Sequence, residues 1–170
     1  ELTKIYVKTN PLYKKIIKNI WSTNRDIIPN YVIKKTNIPL TDEGVDFIAE
    51  TFEGKFWTIQ SKYDDNQERN LSKTKLGNFF DITFRICQNI EFALTFTSNY
   101  GYSYKFDKLK DISKSNASKI GFVTGDRFDN LDFKIINSFI KNLKLEFIKT
   151  KKANHQINCL KKLNKFIKSK

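Results

Sequence analysis

The stretch Gly44-Val45-Asp46-Phe47-Ile48-Ala49-Glu50, followed by Thr51-Phe52-Glu53-Gly54 and then Lys55-Phe56-Trp57-Thr58-Ile59-Gln60-Ser61-Lys62, decides how this chain is read. The first segment reads as a strand leaving a glycine, Glu53-Gly54 as a tight turn, and the last segment as a second, aromatic-rich strand. Side chains alternate faces along a strand, so Gln60 and Lys62 share one side, away from Trp57, Ile59 and Ser61. If the strands pair about the turn, Asp46 comes to lie near Gln60 and Lys62. A carboxylate, an amide oxygen and an ammonium at one strand edge suit a divalent metal and a phosphate. The same residues equally describe a turn carboxylate beside the solvated face of an amphipathic hairpin.

Upstream, Asn10-Pro11 is a helix start, with Asn as cap and Pro in the first turn. Leu12, Ile16, Ile17 and Ile20 recur at helical spacing, which predicts a helix over 11–22. Pro29 and Pro39 punctuate the next stretch, where Tyr31–Thr36 reads as a strand. Downstream, residues 64–70 form a polar loop. Ser72 then caps a helix expected over 73–87, with Leu76, Phe79, Phe80, Thr83 and Phe84 on its apolar side. Phe92–Thr97 and Ile120–Thr124 read as strands, Asn99–Lys119 mainly as loop, and Leu131–Leu143 as an amphipathic helix. The resulting order is α-β-β-β-α-β.

At 170 residues the chain is long enough for one substantial core, and 15 Phe argue for a folded protein over a disordered one. No apolar run approaches ~20 residues, so no membrane span is expected. Cys87 and Cys159 give no disulfide framework, and no signal peptide is visible, so a cytoplasmic setting is expected. The formal net charge of +13 is uneven: residues 141–170 carry ten Lys and one Glu. That distribution points to a polyanionic partner, although an AT-rich gene also enriches lysine. A single histidine, His155, excludes His-based metal clusters and argues against Ser–His or Cys–His catalysis.

Several further residues are candidates. Glu50 shares the strand face of Asp46, and Glu43 precedes the strand; either could serve as an accessory carboxylate. Lys73 and Lys75, in the first turn of the 73–87 helix, could meet phosphate, or simply be solvated. Tyr100, Tyr102 and Tyr104 could stack on bases or pack within a loop.

The Asp46…Gln60-x-Lys62 pattern resembles the PD-(D/E)xK nuclease motif, in the variant where glutamine replaces the second acid. It is most similar to Mrr-like nuclease domains fused to helicases in restriction enzymes. Gly44 before the acid, the apolar strand after it, the aromatic strand into Gln-x-Lys, and Tyr63 all carry the likeness, which covers roughly residues 10–142. The resemblance implies an α/β, restriction-endonuclease-like core with a mixed central sheet flanked by helices. It implies a Mg²⁺-dependent DNA endonuclease, with Mn²⁺ able to substitute. Asp46 and Gln60 would hold the metal together with the main-chain carbonyl of Ser61, and Lys62 would act on the phosphate. A catalytically silent DNA-binding module on the same fold is the alternative, favoured by the glutamine. A protein-interaction domain is a third reading.

The segment Lys151–Gln156, followed by Ile157, Leu160, Leu163 and Ile167, is similar to the glutamine motif ahead of the ATP-binding loop in superfamily 2 helicases. There Gln156 would contact adenine; an ordinary basic amphipathic helix fits the residues too. No G-x-x-x-x-G-K-[ST] is present, so a phosphate-binding loop is expected beyond Lys170. This predicts a nuclease domain over 1–148 and a basic helical tail over 149–170 that opens a helicase domain.

Overall fold

The computed structural model describes residues 2–40, 44–103 and 120–129, together with Lys134 and Asn137. Two short helices, α1 (Leu2–Thr9) and α2 (Pro11–Ile16), lead into strand β1 (Ile17–Ser22) and helix α3 (Asn30–Thr36). Strands β2 (Phe47–Thr51) and β3 (Phe56–Lys62) follow. A helical run then begins as 3-10 helix (Lys73–Leu76), continues as helix α4 (Gly77–Asp81) and ends as a π-helical turn (Ile82–Ile86). Strands β4 (Ile90–Thr97) and β5 (Ile120–Val123) and helix α5 (Gly125–Asp129) complete the described elements. The chain divides into two compact units, Glu1–Leu131 and Asp132–Lys170, and all of these elements belong to the first.

The five described strands form one mixed sheet in the order β1-β2-β3-β4-β5. β1, β2 and β3 pair antiparallel, while β3-β4 and β4-β5 are parallel. Strict alternation sorts the side chains into two cores. Phe47, Ala49, Trp57, Ile59, Leu94 and Phe96 face α1, α2 and α5. Ile48, Phe56 and Ala93 face α3 and the helical run, where Val32, Leu76, Phe79 and Ile82 pack. Burying a side chain such as Phe79, 1% exposed, contributes roughly 1.5–3 kcal/mol. A buried hydroxyl pair, Thr58–Thr83 at 2.9 Å, ties β3 to the helical run.

The expected hairpin forms in register, with Phe47 opposite Ile59 and Ala49 opposite Trp57. The expected α-β-β-β-α-β order is also present, but its first strand is not the predicted one. The helix expected over 11–22 stops at Ile16. Asn10 and Pro11 do start it, the Asn10 side chain accepting from Leu12 N–H at 3.0 Å, yet it buries none of its residues. Ile17, Ile20 and Trp21 instead join the sheet, where β-branched and aromatic side chains pack well. A bulge between Ile17 and Asn19 breaks the alternation and leaves apolar residues at quasi-helical spacing. Tyr31–Thr36, expected as strand, is helix α3. It buries Val32 and Thr36, one turn apart, and ends at Asn37 in the left-handed conformation (φ 50°).

The 73–87 helix is realised as the run 73–86, although Ser72 makes no side-chain cap bond. The helix expected over Leu131–Leu143 lies outside the described residues, apart from Lys134 and Asn137, both helical. Glu43, Tyr104, His155, Gln156, Cys159 and the basic tail also lie outside them. Among the described residues no helix is long and apolar enough to cross a membrane.

Candidate active site

Asp46 immediately precedes β2, and the backbone holds it from two sides. Its amide donates to the Ile59 carbonyl at 3.0 Å, and its carbonyl accepts from Thr23 N–H at 3.0 Å. The buried Thr23 hydroxyl donates to the Val45 carbonyl at 2.6 Å, so the end of β1 pins the start of β2. Gly44 makes the entry feasible. Its φ of 110° disfavours any side chain, and a Cβ there would meet Asn78 Cβ at 3.4 Å and Phe79 N at 3.5 Å. The helical run therefore approaches the backbone closely beside Asp46.

The Asp46 carboxylate turns onto β3. Its Oδ2 accepts from Ser61 N–H at 2.6 Å and from Gln60 Nε2 at 2.9 Å. Gln60 is 3% exposed, and its Nε2 also donates to the Ser61 carbonyl at 3.3 Å. Two oxygens thus converge on one amide NH₂ group. The other end of that amide, Oε1, is buried and has no hydrogen-bond partner among the described residues. Asp46, Gln60, Ser61 and Lys62 line an open cleft of about 590 Å³, closed on the far side by Lys75 and Asn78. Lys62 is half-buried and forms no ion pair among the described residues.

The donor set fits a hard divalent cation. The Asp46 carboxylate and the Ser61 carbonyl already point at a common position, where the electropositive end of the Gln60 amide now lies. Turning that amide over would replace its NH₂ with the orphaned Oε1 and complete a set of three oxygens. Gln60, like any amide, adds no negative charge. No group of three His, Cys, Asp or Glu side chains suited to a metal occurs among the described residues.

The structure therefore brings Asp46, Gln60, Ser61 and Lys62 together. Gln60 and Lys62 share one face of β3, while Ser61 faces α1, its hydroxyl 2.8 Å from that of Thr3. Glu50 does not join them. It lies on the Asp46 side of β2, but four residues along a strand is about 13 Å. There it is buried, accepting from Asn19 Nδ2 and Tyr31 Oη at 2.9 Å each. Lys75 lines the cleft and is ion-paired with Asp64. The hydrogen bond from Lys75, followed by one from the Asn66 amide, holds the Asp64 carboxyl below its ordinary range. Lys73 is exposed and does not line the cleft. Tyr102 stacks on Phe122 (centroids 4.2 Å apart, planes 15°), and Tyr100 Oη donates to Gln67 Oε1 at 3.2 Å, so both are engaged in packing or loop bonds.

Sequence reading missed Thr23 and two residues that line the cleft, Thr74 and Asn78. The Gly77-Asn78 pair, small and polar at a helix start, was the available signal for the close approach; nothing in the sequence marks Thr23.

Comparison with known families settles which lineage carries this hairpin. Residues 8–120, about two thirds of the chain, match the Mrr_cat_2 family, described as restriction endonuclease. The chain belongs to the restriction endonuclease family. The matched span contains β1 to β4, the helical run and every residue of the cleft. Among solved structures, this restriction endonuclease domain is similar to the ATP-dependent Type ISP restriction-modification enzyme LlaBIII bound to DNA. The identity is 20% and the TM-score 0.55, over 78% of this chain and 8% of that one. At that identity the likeness speaks for the fold, and the domain corresponds to a small fraction of the larger enzyme. A crystal structure of a protein of unknown function, AF1548, matches at 10% identity and TM-score 0.40, over 91% of this chain and 78% of that one. No curated protein matches.

Proposed function

We propose that this domain hydrolyses DNA phosphodiesters with Mg²⁺, or Mn²⁺ in its place, in a restriction system directed against invading DNA in the cytoplasm. The observation that carries the reading is the convergence of Asp46 Oδ2, the Ser61 carbonyl and the Gln60 amide beside Lys62. Asp46, Gln60 through Oε1, and the Ser61 carbonyl would hold the cation. When bound, the cation supplies Lewis-acid activation of the phosphodiester and acidifies an attacking water. Lys62, free of any carboxylate partner among the described residues, is available to orient that water and to offset charge growing on the phosphate oxygens. Thr23 and Gly44 act as positioning residues, fixing the backbone from which Asp46 projects. Lys75 borders the same cleft and can contact a phosphate once its pairing with Asp64 is exchanged.

The silent-module reading has one observation in its favour: the Gln60 NH₂ occupies the position a cation would take. Nicking of supercoiled plasmid by purified protein across Mg²⁺, Mn²⁺ and chelator separates the two. Metal-dependent nicking that disappears in Lys62→Ala supports the enzyme. DNA binding without nicking, in the wild type and in Gln60→Glu alike, supports the module. The proposed nuclease domain spans 1–148, past the compact unit, because the resemblance includes the helix expected over 131–143. The tail from 149 is proposed to open an ATP-dependent helicase domain, with Gln156 at the adenine. The parent reading frame tests this by whether it encodes a G-x-x-x-x-G-K-[ST] loop within roughly a few tens of residues.

A further inference from the structure

A second cleft, of about 490 Å³, opens between α1 and β1, the edge strand of the sheet among the described strands. It is lined by Lys4 and Lys8, one turn apart on α1, together with Lys18, Trp21 and Arg25. Among the described residues its only acid is Asp26, and that carboxylate is already engaged. Asp26 Oδ2 accepts from Lys4 Nζ at 2.6 Å and from Ser22 N–H at 2.6 Å. Among the described residues the lining therefore brings Lys4, Lys8, Lys18 and Arg25 together with Asp26. Neither Lys8 nor Lys18 has an ion-pair partner among the described residues. Lys8 is electrostatically frustrated: burial first, and the neighbouring Lys4 charge second, push its ammonium pKa down, which Asp26 opposes. An arrangement that disfavours its own charge in the free protein gains most from an incoming anion.

The position of this cleft says which anion. Ser22, at its edge, pairs with Phe47 in the β1-β2 ladder, and Thr23 bonds the Asp46 carbonyl. Thr3, one residue before Lys4, bonds Ser61. At its Ser22–Arg25 end the basic cleft thus borders the end of the sheet that carries Asp46, with β1 about two strand spacings, or roughly 10 Å, from β3, while Lys18 lies farther along β1, beside the Glu50–Thr51 end of β2. A duplex carries a charge every ~1.7 Å of its axis, so one lying over Asp46 and Lys62 presents further phosphates at that distance.

We propose that the cleft of Lys4, Lys8, Lys18 and Arg25 is a seat for the phosphodiester backbone of nucleic acid, holding the strand beside the Asp46–Gln60–Lys62 site. This rests on the reading that the domain acts on DNA. The seat is electrostatic and takes backbone phosphates without reading bases.

The test uses the full chain in chelator, so that binding is measured without cleavage. For Lys8→Gln/Lys18→Gln, the dependence of log affinity for a labelled duplex on log salt should lose about 1.8 of its slope, at ~0.9 per phosphate contact. Lys14→Gln/Lys15→Gln, which removes the same charge from exposed positions on α2, should leave the slope within error. An unchanged slope in the first variant, or an equal loss in both, overturns the seat. Inorganic phosphate is the second probe. If the first variant loses phosphate binding but keeps the duplex slope, the cleft takes a free anion and the proposal fails. The Lys8→Gln/Lys18→Gln variant should melt no lower than wild type, since Lys8 is charged against its surroundings. The nuclease reading is judged separately, by whether Asp46→Asn still cleaves, and that result leaves the slopes untouched.

Discussion

Replacing Asp46 in two ways separates its chemical role from its structural one. Asp46→Ala removes the acceptor of two donors, Gln60 Nε2 and Ser61 N–H. The Gln60 amide is almost fully buried, so stranding it costs about 1–3 kcal/mol; the half-buried Ser61 amide finds water more easily and adds less. Release of a partly desolvated carboxylate offsets some of this, leaving a net loss near 2 kcal/mol. For a chain of this length that lowers the melting temperature by about 4–8 °C. Asp46→Asn behaves differently. Its amide oxygen, in the place of Oδ2, can still accept from both Ser61 N–H and Gln60 Nε2, while its amide nitrogen takes the place of Oδ1. We expect it to melt within about 0.5–1 kcal/mol of wild type. Both variants should lose metal-dependent nicking by on the order of 10²-fold or more. Thermal melts followed by ellipticity, alongside plasmid nicking, check both statements. Wild-type melting in the Ala variant would refute the hydrogen-bond reasoning, and wild-type nicking in both variants would refute the site.

Gln60→Glu places a second carboxylate about where Nε2 now donates to Asp46; like charges repel there, so the variant should melt lower than wild type in chelator and gain more stability from Mg²⁺ or Mn²⁺. Equal divalent-induced shifts in the two proteins would count against a cation at this position. Burial pushes the Asp26 carboxyl up, but the hydrogen bonds from Lys4 and Ser22 and the charges of Lys4 and Lys8 outweigh it and hold the pKa below its ordinary 3.8. The stability this contributes is present above that value and lost as pH falls through the lowered one, so Asp26→Asn should flatten the acid limb of stability against pH; an unaltered limb would contradict the pairing. Burial pushes the Cys87 thiol up to about 11, so in a Cys159→Ser background it should resist thiol reagents at pH 8 and react only on unfolding, as a colorimetric thiol titration with and without denaturant would reveal.

The hairpin was legible because its information is local: period-two alternation on both sides of Glu53-Gly54, with a glycine at the entrance. The same alternation correctly placed Gln60 and Lys62 on one face and Ser61 on the other. Residues 17–22 were misread as helix because helix and bulged strand can share apolar positions, and partner strand β2 decided between them. Tyr31–Thr36 has strand-forming residues, yet Val32 and Thr36 are one helical turn apart and pack beneath the sheet. Glu50 shows the limit of face arguments, since sharing a strand face with Asp46 says nothing about the distance along it. The basic cleft was invisible for a related reason: its lysines come from α1 and β1, which only the fold brings together.

The glutamine of the motif has a physical consequence that a second acid would not have. Two carboxylates within about 3 Å repel, and one of them protonates or the fold strains until a cation arrives. With Gln60, the metal-free protein instead satisfies Asp46 internally, through Nε2 and the Ser61 amide, at the cost of one orphaned buried oxygen. The Asp46 carboxylate is then satisfied without metal, and on the proposed reading the cleft would attract a cation less strongly, because only one ligand is charged and the amide would have to turn over first. Phosphate oxygens of a bound strand would supply the missing negative charge beside Asp46. Cation affinity is therefore expected to rise when duplex is present, and by linkage duplex affinity should rise equally with the cation. A backbone seat along β1 would strengthen that coupling by holding the strand in place before the cation binds. On the proposed reading, DNA would thus help to assemble the catalytic centre, and metal-dependent nicking should depend on duplex and cation together.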